Sequence, residues 1–151
     1  MSEVEIVTVS SAADWRAFID LPWRIYETDT RWVPPIKKAV RRLLDPEKHP
    51  FWKSAQGLPL LARRGRKVVG RILGIIDHNN NRFRSEKMGA WGFLECENDD
   101  EAAAALFARV EEWTRAQGME FLRGPLNPST NYEAGLLIEG FEYSPTFMMT
   151  Y

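Results

Sequence analysis

The chain has 151 residues, of which 44% are hydrophobic and 27% charged, the size and composition of one domain able to bury its own core. No run approaches the ~18 consecutive apolar residues of a membrane span, the acidic start Met1-Ser2-Glu3-Val4-Glu5 is unlike a secretory leader, and the lone Cys96 excludes an internal disulfide framework or a multi-cysteine zinc cage. With 20 Lys and Arg against 21 Asp and Glu, no whole-molecule field draws the chain to nucleic acid or anionic lipid, and the expectation is a cytoplasmic protein with no nucleic-acid or membrane partner.

The alternation through Val4, Ile6 and Thr8 predicts a first strand, and Ser11 caps a helix to about Asp20 with Trp15, Phe18 and Ile19 on one stripe. Pro22 restarts the helix as Trp23 to Tyr26. Trp32-Val33-Pro34-Pro35 is extended, and Pro35 opens a short helix with Ile36, Val40 and Leu44 facing inward and Lys37, Lys38, Arg41 and Arg42 outward. Asp45-Pro46 ends it. After a turn at Pro50-Phe51-Trp52, strands Leu58 to Ala62 and Lys67 to Asp77 form a hairpin whose tip, with Arg63, Arg64, Arg66 and Lys67, reads as a solvated basic turn. A polar loop with Asn79, Asn80 and Asn81 precedes a strand from Met88 to Cys96. The clearest helix follows, with Asn98 as N-cap, Glu101 as its capping-box partner, apolar residues from Ala103 to Trp113 at helical spacing, and Gly118 as the stop. A strand from Met119 to Arg123, a bend from Gly124 to Asn131 rich in Pro and Asn, and an apolar segment from Ala134 to Phe141 complete the order. Within one continuous unit, residues 1–151, this order predicts an α/β (α+β) domain with a largely antiparallel sheet carrying helices on its faces.

The order, together with Gly70-Arg71-Ile72, Gly92 through Cys96 (GFLEC), Tyr26 through Pro35 (YETDTRWVPP), Leu44 through Phe51 (LLDPEKHPF), and Arg123 through Asn131 (RGPLNPSTN) with Gly135-Leu136-Leu137, resembles the GNAT superfamily of acyl-CoA N-acyltransferases, and more closely a bacterial GNAT-like family. The resemblance implies acyl transfer from acetyl-CoA or another acyl-CoA to a small-molecule amine acceptor. It places the cofactor along Leu94, Cys96 and Asn127, the acceptor at Arg123, Asn131 and Glu133, and the acid and base work on Glu95 and Tyr132. GNAT proteins bind the CoA pyrophosphate on a glycine-rich turn before the helix after the fourth strand. Here that place holds Glu97-Asn98-Asp99-Asp100-Glu101, acids at the positive end of a helix dipole that repel a phosphate. The pyrophosphate loop thus reads as degenerate.

Each candidate has a plainer reading beside it. Glu95, sharing a face with Trp91 and Phe93 by alternation, is either a partly buried base or a solvated strand end. The bend with Asn127 and Asn131 is either a recognition loop or a hydrogen-bonded turn. The tryptophans read as core, Cys96 as a small buried hydrophobe, and His49 and His78 lie too far apart for a metal motif, so no metal is expected. The alternative to an enzyme is a non-catalytic GNAT-fold lobe that binds a small polar ligand or a partner chain. The resembled family continues past Tyr151 into a further helix and strands, whereas this chain stops in the apolar run Pro145 to Tyr151. A C-terminally truncated lobe that covers its exposed edge as a homo-oligomer, most simply a dimer, is therefore expected.

Overall fold

A computed structural model describes residues 2–145; the apolar finish at residues 146–151, on which the expectation of a covered edge partly rests, lies outside them. A five-stranded sheet runs in the spatial order β1 (Val4–Thr8), β2 (Ala55–Arg64), β3 (Lys67–Asp77), β4 (Met88–Cys96), β5 (Phe121–Arg123). The first four strands are antiparallel neighbours, whereas β5 runs parallel to β4 and pairs with it only across Met88–Ala90. Helices α1 (Ala12–Ile25) and α2 (Lys37–Leu43) cover one face, and α4 (Asp100–Ala116) covers the other. The mixed, largely antiparallel sheet with helices on its faces is the architecture read from the sequence.

Alternation along β3 divides the core. Leu73 and Ile75 pack with Phe18 and Ile19 of α1, while Ile72 packs with Leu106 and Val110 of α4. Ser11 caps α1 as expected, with Ser11 Oγ accepting from the Asp14 N–H at 3.1 Å and Asp14 Oδ2 accepting from the Ser11 N–H at 3.0 Å, a reciprocal arrangement that satisfies two otherwise orphan donors.

Several local expectations are corrected. α1 does not restart at Pro22 but runs through it; an interior proline costs about 3 kcal/mol or more, partly by stripping the carbonyl four residues back of its donor, and here the Phe18 carbonyl accepts from Arg71 instead. The Asn79–Asn81 segment is not a loop but helix α3 (His78–Arg84), because Asp77 caps it by accepting from the N–H groups of Asn79 and Asn80. Asp99, not Asn98, caps α4, accepting from the Ala102 N–H at 3.1 Å. The hairpin arginines are not merely solvated: Arg63 reaches Asp14 at 2.6 Å, and Arg64 bridges Asp99 and Glu101 at 2.6 Å each. Ile36 does not face inward; it is 76% exposed, because the extended Pro34-Pro35 segment sets α2 across the surface with no buried residue of its own.

Candidate active site

The face of the sheet under α1 carries one charged residue in its apolar interior. Arg71, in the middle of β3, is only 6% exposed. Its Nη1 donates to the Phe18 carbonyl at 2.6 Å. That carbonyl is free because residue 22, whose N–H would normally reach it, is proline. Nη2 lies 3.7 Å from Glu95 Oε1 on the neighbouring strand, and Nε is buried without a partner among the described residues. Tyr26, just past the end of α1, donates its hydroxyl to Glu95 Oε2 at 2.5 Å.

Burial dominates the electrostatics of this cluster. It pushes the Glu95 carboxyl above the ordinary glutamate range although the Tyr26 hydrogen bond and the Arg71 charge both favour the ionised form. Burial also pulls Arg71 down to about 10, against the charges of Glu95 and Tyr26. Tyr26 is pushed up by burial and by the adjacent Glu95, so it stays an O–H donor. At 3.7 Å the ion pair does not repay the desolvation of both charges, so each partner shifts toward its neutral form.

Glu95 reaches this face through a bulge. Arg71 pairs with Glu95 and Leu73 pairs with Gly92, so β4 spends three steps where β3 spends two. The extra residue breaks the alternation that joins Trp91 to Phe93 and Glu95. Trp91 packs against Phe107 of α4, whereas Phe93 packs on the α1 side. Phe93 takes φ 52°, a strained conformation for a bulky residue. Its N–H is held by Asn127 Oδ1 at 2.6 Å. Asn127 belongs to a short ribbon, β6 (Leu126–Asn127) paired with β7 (Glu133–Ala134), that crosses β4. A Cβ at Gly92 would lie 1.8 Å from the Leu126 carbonyl oxygen, so only glycine admits this crossing.

Between α1, the 32–43 segment and this ribbon lies a cavity of about 310 Å³. Trp23, Trp32, Val33, Pro35, Val40 and Leu43 form an apolar wall; Arg71, Glu95, Asn127, Tyr132 and Glu133 supply polar groups. Of the residues expected from the sequence, Glu95, Tyr132, Leu94, Asn127 and Glu133 line it together. Tyr132 stands at an exposed position, its hydroxyl 3.5 Å from His49 Nε2. Arg123 lies elsewhere, 3.8 Å from Glu86 beside the Phe121 ring. Asn131 is exposed and uses its N–H on Ser129 Oγ. Cys96 points to the α4 side, its Sγ 3.7 Å from the Asp99 carbonyl, and burial pushes its thiol up to about 11, which leaves a protonated, unreactive group at neutral pH.

Tyr26 and Arg71 are the site residues the sequence reading misses. A lone cation inside the apolar run Val68–Ile76 was a signal for Arg71, but nothing in the chain links Tyr26 to a carboxylate 69 residues away. At the far end of β4, Asp99 fills the α4 N-terminus and is itself clasped by Arg64 through Nε and Nη2 at 2.6 and 2.9 Å. This helix end, already holding a carboxylate and flanked by Glu97 and Glu101, does not fit a pyrophosphate. Among the described residues no group of three or more His, Cys, Asp or Glu side chains could hold a metal.

No protein-family model matches the chain. It is 33% identical over 149 residues to the bacterial ceramide synthase of Caulobacter vibrioides, and 32% identical over 140 residues to protein YghO of Escherichia coli. The matches take in 98% and 90% of this chain but only 39% and 35% of those proteins, so the chain spans less than two fifths of the curated relatives it matches. Among solved structures, a tandem GNAT protein from the clavulanic acid biosynthesis pathway superposes with TM-score 0.54 at 17% identity, over 76% of this chain and 34% of that one. FeeM, an N-acyl amino acid synthase from uncultured soil microbes, superposes with TM-score 0.56 at 14% identity, over 81% of this chain and 70% of that one. The chain has a GNAT-like fold.

Proposed function

We propose that the chain is an N-acyltransferase domain that acylates an amine carrying an apolar body, with Glu95 as the base. One observation carries this reading: the Glu95 carboxyl, its Oε2 held by Tyr26 and raised by burial, lines a cavity together with aromatic and aliphatic side chains. An amine head reaches Glu95 while its hydrocarbon lies along Trp23, Trp32 and Val40. As the amine nitrogen bonds the activated acyl carbon, Glu95 takes the nitrogen's proton, the bond from acyl carbon to leaving group breaks, and the Tyr132 hydroxyl protonates the departing atom. Tyr26 holds one Glu95 oxygen, so the other is the one that accepts the proton. The names of two similar proteins, a ceramide synthase and an N-acyl amino acid synthase, denote amide-forming acyl transfers and agree with this chemistry.

The acidic cap of α4 favours a donor whose phosphates do not rest on that helix end. The assay is amide formation from a long-chain amine and acyl thioesters, with the parent chain against Glu95→Gln. The variant is expected to lose roughly 10²–10⁴-fold in rate, the usual worth of a positioned base, and equal rates would overturn the assignment. The same acidic cap also favours a second reading, a lobe that binds the amine without turning it over. Amine binding without amide formation in the parent chain selects that reading.

A further inference from the structure

We infer that the surface formed by residues 31–42, at the mouth of the cavity, docks on an anionic membrane. Val33 is 59% exposed and Ile36 76% exposed; the stiff Pro34-Pro35 pair between them presents both side chains with little backbone entropy left to lose. Between Thr30 and Leu44 the chain has five cations, Arg31, Lys37, Lys38, Arg41 and Arg42, and no acid. Among the described residues only Lys37 has an acidic partner, Asp20, at 2.6 Å. Arg31, Lys38, Arg41 and Arg42 are all exposed.

A plane of lipid headgroups supplies what this face lacks: anions at its surface and apolar depth just beneath it for Val33 and Ile36. A second copy of the chain does not, because pairing the face with itself about a two-fold axis sets cations against cations. α2 also separates two openings. Val40 and Leu43 line the cavity with Glu95, whereas Leu44 and Arg41 line an open groove of about 660 Å³ walled by Trp15, Ile19 and Pro46, whose one acid, Asp45, is tied to Lys48. An amphiphile leaving the bilayer beside α2 enters the cavity chain-side along Val33 and Val40. That route rests on the cavity's proposed function, but the docking itself rests only on the surface. No helix among the described residues is long and apolar enough to cross a membrane, and the contact inferred is one at the lipid surface. It departs from the expectation of no membrane partner, which rested on the balanced charge of the whole chain and not on this local cluster of cations.

The test is flotation of the whole chain with phosphatidylcholine vesicles, with and without phosphatidylglycerol. Binding is expected only with the anionic lipid, and it should weaken as salt screens the charges. Ile36→Ser, and separately Lys38→Gln with Arg41→Gln and Arg42→Gln, should each lower partitioning by about tenfold or more with unchanged melting temperature. All four side chains are exposed, and Ser is a better N-cap for α2 than Ile. No binding to anionic vesicles, or binding that both variants leave intact, would overturn the inference. So would lipid-free self-association that these substitutions abolish, which would assign the face to a second copy. Glu95→Gln should float as the parent does, so failure of the chemistry is distinguishable from failure of the docking.

Discussion

Arg71 donates to the carbonyl of Phe18 at 2.6 Å, filling the vacancy that Pro22 leaves in the hydrogen-bond ladder of α1. A proline in a helix and a buried cation in a strand therefore depend on one another. Arg71→Met removes the donor, strands the Phe18 carbonyl in the core, and leaves Glu95 without its nearby cation; a loss of about 3 kcal/mol is expected. Pro22→Ala returns an N–H to that carbonyl. In the double variant the cost of Arg71→Met should shrink by about 1–2 kcal/mol, a coupling that urea unfolding of the four-member cycle measures directly. Additive effects would show that the two residues do not share the carbonyl.

Tyr26→Phe removes a donor to the charged form of Glu95. The Glu95 carboxyl, already raised by burial, should rise further, and the low-pH limb of any Glu95-dependent activity should move to higher pH with it. Carboxyl carbon titration by NMR reads the shift. The sign for stability runs the other way from the usual acid. A raised carboxyl supports the fold fully below the unfolded value and loses that support as pH rises through the folded value. Glu95→Gln should therefore be at least as stable as the parent at neutral pH, while a clear loss there would mean that the ion pair with Arg71 outweighs burial.

What was legible in the sequence was set by periodicity and capping; what was not depended on tertiary partners. β1, β4 and the body of α4 follow from alternation and 3/4 spacing, and Ser11 announces α1 through its own side chain. The continuity of α1 past Pro22 could not be read, because the compensating donor lies 53 residues away on β3. The sequence marks Glu95 as a candidate base but puts it on the wrong face: period-2 counting has no means of registering a bulge, and the extra residue at Phe93 turns Glu95 from the Trp91 side to the α1 side. Arg123, Asn131 and Cys96 have suitable chemistry and a place in a motif, but the chain directs them away from the cavity that Glu95, Asn127 and Tyr132 share.

Asp14 and Asp99 are both held at about 2, Asp14 chiefly by its hydrogen bonds with Ser11 and Asp99 chiefly by Arg64. Unfolded aspartate titrates near pH ~3.9, so each contributes stability that is fully present above about pH 4 and is lost as pH falls toward 2. Asp99→Asn keeps an N-cap acceptor and deletes the charge. The variant should be less stable than the parent at pH 6, with the gap closing as the pH approaches 2. Thermal melts across that range check it, and a gap constant with pH would assign the effect to capping geometry instead of charge.

Asn127 is positioned to serve both the backbone and the cavity, and hydrogen exchange separates the two. Its Oδ1 accepts from the Phe93 N–H at 2.6 Å, while its Nδ2 makes only a long, exposed contact of 3.4 Å with Glu133. Asn127→Ala leaves the Phe93 donor unpaired at a strained bulge, a cost of about 1–3 kcal/mol, and should accelerate exchange at the Phe93 amide. Glu133→Ala removes only the weak contact and should leave that amide protected. If both substitutions abolish amine binding but only Asn127→Ala exposes Phe93, then Glu133 contacts the ligand and Asn127 acts at least partly by fixing the bulge that carries Glu95. Protection of Phe93 surviving Asn127→Ala would instead mean that the ribbon is held against Gly92 by packing alone, and that the asparagine side chain is free to serve the ligand.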